Sequence, residues 1–427
     1  MAERSPFPRV FWVANLVEVL ERFAYYGIYF SFGIYMTSLG YSRAQLGGVQ
    51  TIFLLLSYCV PLFSGALADR YGFKRMLVVS YLAYLPSILL LILTRSFSGI
   101  ALTMLSIGLA AGMFKPLVSG TVRAVTDSTN NTLGFGIFYA MVNTGASLGP
   151  VVMGNLRAIS WDYAFYAAAI SIGCMLAITL LFYKEPERAP ATGTLGEKLR
   201  EIGTALADRK FVLFLFLLGV GFWIPFWGFF NLLALYVDSN LDTARLYQEL
   251  RGLLGEGIAG FLSRDDHGTR RILGETISHT GFVIMVLQIA VSKASERFRP
   301  IPSFLFGLVV MAASFVVLGL AASVATPLVF LGIVLFAVGE MIASPRIQEY
   351  IGRIAPREKA GLYMGSNFLA VGIGSFSGVL YTPLYGRFAD AGHPGHVWYL
   401  LCGHMLLSFV ALWLFQRLAG GFAQQER

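Results

Sequence analysis

The sequence predicts an all-α polytopic membrane protein with twelve transmembrane helices in two six-helix bundles, and three observations lead there. Of its 427 residues 56% are apolar and only 13% charged, with a mean hydropathy of +0.67; a soluble domain carries about a quarter charged residues. Apolar runs long enough for a bilayer recur along the whole chain. One polar stretch near the middle divides them six and six. Runs near the length of a membrane helix, without short alternating segments, exclude an outer-membrane barrel. The 46 glycines suit helices that approach closely in lipid. Cys59, Cys174 and Cys402 all lie inside apolar runs, which argues against a disulfide framework or a thiolate metal site.

The first six runs lie at about 10–38, 46–68, 76–94, 98–121, 133–156 and 161–183. The first is too long and too charged for a cleavable signal. The second six lie at about 211–237, 272–295, 301–322, 326–352, 360–386 and 395–417. With the N-terminus inside, inner segments hold Arg70, Lys74, Arg75, Arg123, the linker cations, Lys293, Arg297, Arg299, Arg353, Arg357 and Lys359. The short outer loops hold only Arg43, Arg95, Arg157 and Arg387. This bias predicts a multi-pass protein of the cytoplasmic (inner) membrane with both termini cytoplasmic. The net charge of +8 is spread over these loops and forms no nucleic-acid patch.

The implied organisation is a bundle over 1–185, a cytoplasmic linker with an amphipathic helix over 186–210, and a second bundle over 211–418. A short tail, 419–427, follows in the cytoplasm. The second bundle carries an extracytoplasmic insertion at 239–271, where Leu246, Leu250, Leu253 and Leu254 space as on a cap helix. A structural and a substrate-handling role are both open for it.

Ionisable groups at membrane depth cost several kcal/mol unless paired or hydrated, so each is a functional candidate. In the first span Glu18, Arg22, Tyr25 and Tyr29 recur at i, i+4, i+7 and i+11, on one helical stripe, with Glu21 and Tyr26 alongside. Such a helix lines a wet cavity. Lys115 in the fourth span needs a partner at that depth, and a first-span carboxylate is the obvious one. Asn143 in the fifth span reads equally as interhelical glue and as an amide for a peptide-like group. Glu340 lies in the opposite half from Arg22 and Lys115. That polarity suits a zwitterion whose carboxylate meets the cations and whose ammonium meets Glu340.

Gly65-Ala-Leu-Ala-Asp69-Arg70-Tyr71-Gly72-Phe73-Lys74-Arg75 resembles the signature between the second and third spans of major facilitator superfamily transporters. Gly65 and Gly72 permit close packing and a tight turn, Asp69 can accept from a helix terminus, and Arg70 and Arg75 sit at the interface. Glu296-Arg297-Phe298-Arg299 echoes it after the eighth span, which supports two parallel six-span repeats. The resemblance implies the major facilitator fold.

A sharper resemblance covers both halves. Glu18–Gly27 is similar to the ExxERFxYYG motif of the proton-dependent oligopeptide transporter family. Phe114-Lys115-Pro116 resembles its FFKPN box, and Phe138-Tyr139 through Asn143-Thr144-Gly145 its FYxxINxG. Gly339-Glu340 with Ser344-Pro345, Ala355-Pro356 and Met364-Gly365 follow its tenth- and eleventh-span pattern. The chain is thus identified as resembling a divergent, bacterial-type member. The resemblance implies a proton-coupling cluster of Glu18, Glu21, Arg22 and Lys115, with Lys115 paired to Glu21. It further implies peptide contacts from Arg22, Tyr25, Tyr26, Lys115 and Asn143, with Glu340 on the amino terminus.

The departures are specific. Tyr29 stands where the family has an Arg, and Asn231, near Trp227 in the seventh span, stands where it has an acid. Those charges would have paired at the outer gate, and both are lost together. Asn367 replaces a pocket Trp and makes the side-chain pocket more polar. His279 lies near a usual Asn, as a titrating group or a hydrogen-bonded bystander.

The expected function is proton-coupled uptake of di- or tripeptides or peptide-like zwitterions by alternating access. The alternative is a carrier of the same fold for another amphiphilic or anionic molecule, by uptake or export, with altered or absent proton coupling. A non-transporting receptor that uses the insertion as its contact surface would not need charges in both halves. No enzyme motif, nucleotide loop or metal spacing is present, so the expectation is a monomeric carrier in the lipid bilayer that needs no cofactor beyond a proton gradient.

Overall fold

Backbone inside hydrocarbon must satisfy its own N–H and C=O groups, and this chain does so with long helices. The computed structural model describes residues 6–127, 129–187, 206–295, 297–354 and 360–418, together with 196, 200 and 203. Among the described residues, 11 helical stretches are long and apolar enough to cross a membrane. The 30-residue helix α1 (Arg9–Ser38), with Glu18, Glu21 and Arg22 in its middle, is the twelfth span. Most of the expected linker helix over 186–210 and the tail 419–427 lie outside the described residues, as do Glu296, Ala355, Pro356, Arg357 and Lys359.

The chain divides into two compact units, residues 1–41 with 52–198, and residues 42–51 with 199–427. The first contains α1, the later half of α2 (Arg43–Cys59), α3 (Pro61–Tyr71), α4 (Phe73–Leu93), α5 (Phe97–Ala124), α6 (Asn131–Arg157) and α7 (Trp161–Phe182). Pro61 starts α3 and divides the second span, which the apolar pattern presents as continuous. Helix α1 lies against the backbone of α6 because Gly145 and Gly149 present no side chain. A Cβ at Gly149 would sit 2.2 Å from the Phe23 carbonyl oxygen.

The turn from α3 to α4 passes through Gly72 at φ 97°, a left-handed conformation that favours glycine. Beside it the Glu185 carboxylate accepts from the backbone N–H groups of Phe73 at 2.8 Å and Lys74 at 2.7 Å. Lys74 Nζ donates to the Leu180 carbonyl at 3.1 Å. An anion at a helix N-terminus satisfies orphan donors and the helix dipole together. Sequence reasoning expected Asp69 to take a helix terminus and did not reach Glu185.

In the second unit the seventh span is built from α8 (Arg209–Leu217), a π-helical turn (Leu218–Trp223) and α9 (Ile224–Asn240). Pro225 has no N–H to offer the Gly221 carbonyl, and Ser408 Oγ donates to that oxygen instead at 2.7 Å. His404 Nε2 reaches the Val220 carbonyl at 2.8 Å. The insertion folds as α10 (Thr243–Phe261) and an antiparallel hairpin of β1 (Ser263–Asp266) and β2 (Thr269–Ile272), paired Ser263 to Ile272. His267 and Gly268 turn it with φ 51° and 84°. The sequence reading foresaw only the helix there, because the strands are four residues long and polar on both faces.

The eighth span is α11 (Gly274–Ile277) and α12 (Gly281–Ser295), interrupted at 278–280, where one continuous run was expected. There follow α13 (Pro300–Ala321), α14 (Leu328–Ile354), α15 (Ala360–Gly374), α16 (Ser377–Asp390) and α17 (His396–Leu418). Residues 42–51 of the second span pack in this unit, not with the rest of 1–185. Gln50 Nε2 donates to the Asn231 carbonyl at 3.2 Å and Gln50 Oε1 accepts from Thr382 at 2.8 Å.

Glu185→Ala is expected to destabilise the protein by about 1–2 kcal/mol through loss of the α4 cap. Thermal unfolding in detergent would register this as a lowered Tm, with Glu185→Gln intermediate. An unchanged Tm for Glu185→Ala would contradict the capping role.

Candidate functional site: buried charges in each unit

In the first unit the helical period of α1 brings Glu18 and Arg22 one turn apart. Arg22 Nε donates to Glu18 Oε1 at 2.6 Å and lies 3.3 Å from Glu21 Oε2 without the geometry of a hydrogen bond. All three side chains are buried. One guanidinium does not satisfy two carboxylates. Glu18 Oε2 and both Glu21 oxygens are buried with no hydrogen-bond partner among the described residues, as are the Tyr25 and Tyr84 hydroxyls.

Lys115 on α5 departs from expectation. The sequence pairs it with Glu21, but the structure places its ammonium 3.7 Å from the ring centre of Tyr58 and 4.8 Å from that of Tyr25. No hydrogen-bond partner among the described residues reaches Nζ. The physical reason is that Arg22 already stands beside both carboxylates, while the negative faces of two tyrosine rings hold a desolvated cation.

The remaining first-unit candidates are placed as follows. Tyr29 is buried between the rings of Tyr25 and Phe53, at 6.2 and 5.8 Å. Tyr26 meets Tyr25 edge-on at 5.1 Å and stacks on Phe30 at 5.8 Å. Asn143 spends an amide proton on its own helix, donating to the Tyr139 carbonyl at 2.9 Å. Of the loop signature, Gly65, Asp69 and Arg70 belong to α3, with the Arg70 guanidinium over the Tyr71 ring at 5.4 Å, and Arg75 is exposed on α4.

In the second unit Glu340 projects from α14 toward the interruption of the eighth span, where Thr280 Oγ1 donates to its Oε2 at 2.8 Å. His279, in the same break, is buried with its ring 4.9 Å from that of Phe282. Asn231 donates to Ser377 Oγ at 2.8 Å. Trp227 is buried among Phe226 and Phe230. Asn367 is buried on α15, and its Oδ1 has no hydrogen-bond partner among the described residues. A broken membrane helix that offers a hydroxyl to a part-buried carboxylate is the kind of place where carriers bind charged groups.

The sequence matches the family profile described as Major Facilitator Superfamily over residues 14–379. The chain belongs to the Major Facilitator Superfamily. As a major facilitator protein it is a multi-pass membrane transporter, of a family of carriers and not of enzymes. It is 23% identical over 397 residues to the Na(+), Li(+), K(+)/H(+) antiporter of Planococcus maritimus, which covers 88% of each chain. It is 28% identical over 161 residues to the quinolone resistance protein NorA of Staphylococcus aureus, across 38% of this chain and 41% of that one. Its fold is similar to that of a POT family transporter solved with a thioalcohol-conjugated peptide, with TM-score 0.74, 19% identity and 96% of each chain covered. A POT family transporter solved with 5-aminolevulinic acid matches with TM-score 0.69, 19% identity and the same coverage.

For a major facilitator carrier the residues that sequence reasoning missed are Tyr58 and Thr280, which meet Lys115 and Glu340, and Ser377 and Gln50, which bond Asn231. Each is a polar side chain in an apolar run, which is a signal in itself. Their roles emerge only from which helices meet.

Tyr58→Leu is expected to weaken substrate binding about 10-fold, on the scale of one desolvated cation–π contact, whereas Tyr58→Phe keeps the ring face and stays near wild type. Equilibrium binding to the purified carrier separates the two, and equal losses for both variants would point to the hydroxyl instead.

Proposed function

We propose that the protein is a proton-coupled symporter for small peptides or peptide-like zwitterions, working by alternating access. The observation that carries this reading is Lys115, a buried ammonium held on tyrosine faces with no carboxylate attached. A substrate carboxylate suits it, with Arg22 as the second cation. In the second unit Glu340, with the Thr280 hydroxyl on one oxygen, suits an ammonium. A ligand that carries both charges meets both requirements, and the ordered motifs of the oligopeptide transporter family and the POT-like fold support the choice. Glu21 is the group we assign to the proton, since both its oxygens are buried without hydrogen-bond partners. The Lys/Arg asymmetry supports a cytoplasmic location for both termini.

A second reading is transport of a monovalent cation or an amphiphile against protons. The antiporter relative, aligned over most of both chains, favours it. So does the uncharged pair Tyr29 and Asn231.

Proteoliposomes with an imposed proton gradient decide between the two. Labelled di- and tripeptide accumulation is expected; proton release driven by Na⁺ or K⁺ without peptide uptake would transfer the protein to the second reading. Glu21→Gln is expected to abolish gradient-driven accumulation while it retains peptide-for-peptide exchange, and accumulation at the wild-type rate would remove Glu21 from coupling. Glu340→Gln should weaken free-amine dipeptides by about 10- to 100-fold, the loss of a charge-assisted hydrogen bond, and spare N-acetylated ones. Equal losses for both ligands would exclude an ammonium at Glu340.

A further inference from the structure

The segment between the seventh and eighth spans carries an apolar surface that transport chemistry does not use. Helix α10 starts at Thr243, just after α9 ends at Asn240, and β2 ends at Ile272, just before α11 starts at Gly274. Both ends of the insertion are therefore tied to membrane spans. Gly255, at φ 81°, kinks α10 into two helical pieces, of which the first is buried through Leu246, Tyr247 and Leu250 and the second through Ala259. The rest of it should be polar if water covers it. Instead Leu253 is 72% exposed, Leu254 52%, Ile258 48% and Phe261 48%.

Two further observations say what covers this face. The Phe261 ring meets that of Phe282 on α12, with centroids 6.4 Å apart, so the patch adjoins the eighth span. Along α12 the outward residues Met285, Val286 and Ile289 are exposed and apolar, as a lipid-facing wall is. The apolar surface thus continues from the wall of a membrane span onto the insertion. Glu256, the acid between Leu254 and Ile258, is itself exposed, with Tyr247 Oη donating to it at 2.7 Å and Arg251 Nε 3.7 Å away, so the one acid in the patch is matched by a cation. The hairpin beside the patch bears Arg264, Arg270 and Arg271 against Asp265 and Asp266, with Arg271 Nε 3.3 Å from Asp266, and this mixed-charge edge suits the zwitterionic headgroup layer.

We infer that α10 lies in the lipid interface, with Leu253, Leu254, Ile258 and Phe261 seated at the boundary between headgroups and acyl chains. Amphipathic helices bind bilayers in this way when an apolar face is flanked by basic residues. The interface then holds the start of the eighth span in place, since Thr276 of α11 donates to the Leu262 carbonyl at 2.8 Å. The occupant is the bilayer itself, and a second copy or another protein would have to compete with it on a flank continuous with α12.

Nitroxide labels test this on the full chain in liposomes. Cys59, Cys174 and Cys402 are replaced by Ser, and single cysteines are placed at Leu254, Ile258, Glu249 and Asp265. Labels at 254 and 258 are expected to collide several-fold more with oxygen than with a water-soluble nickel chelate, and labels at 249 and 265 the reverse. Nickel access at 254 and 258 equal to that at 265 would overturn the proposal in favour of water. Shielding from both reagents would overturn it in favour of a protein contact, which dipolar broadening between labels would identify as a second copy. The unmodified protein gives an independent reading through a lipid with a photoactivatable headgroup-proximal diazirine. Adducts are expected on the tryptic peptide Gly252–Arg264, and adducts confined to the twelve spans would overturn the assignment.

Discussion

Arg22 stands beside Glu18 and Glu21 on one helix, and the first unit is arranged around keeping that buried guanidinium paired. Breaking a buried pair by removing one partner costs about 3–5 kcal/mol. With the guanidinium committed there, Lys115 has to be stabilised by other means, and the rings of Tyr58 and Tyr25 supply them. Close approach of α1 to α6 at Gly145 and Gly149 brings the charged turn of α1 hard against its neighbour. The result is a set of charges with unfilled hydrogen-bonding capacity, which is what a carrier needs if substrate and proton are to bind where the protein itself does not bond.

Breaks in the spans follow the same logic. Interruptions free backbone groups that hydrocarbon cannot satisfy, and at two of them a side chain meets the freed carbonyl. Ser408 and His404 cover the carbonyls at the π-helical turn. At the eighth-span break Ser278 bonds the Gly274 carbonyl within its own chain, leaving Thr280 free to face Glu340. In the second unit the irregular points of the helices bring polar groups into the membrane, whereas in the first unit the charges ride on the unbroken helices α1 and α5.

The relatives pull in two directions. Two solved structures of similar fold are POT family transporters, whereas two relatives in sequence are an antiporter and a quinolone resistance protein. At identities below 25% the fold is common property, and the cargo is decided by a handful of side chains. Asn231 of the seventh span bonds Ser377, and its backbone is held by Gln50. This hydrogen-bonded set keeps the segment ordered without a charge.

How much could be read without the structure varies by residue. Span number and the identity of the buried charges were legible, because hydrocarbon penalises polar groups so strongly that each Glu, Arg or Lys in an apolar run declares itself. Glu18 and Arg22 could be paired from spacing alone, since i and i+4 face each other on any α-helix. The hairpin in the insertion, the interruption at 278–280 and the cap from Glu185 were not legible. Lys115 shows the limit most clearly. Sequence dictates that its ammonium must have a partner, but whether that partner is Glu21 or the face of Tyr58 depends on how α1, α2 and α5 pack, at distances of a few ångströms that no periodicity encodes. Composition and period thus determined which residues would carry charge into the membrane; only the tertiary structure decided which groups they face, because contacts between helices are set by packing across the unit and not by order along the chain.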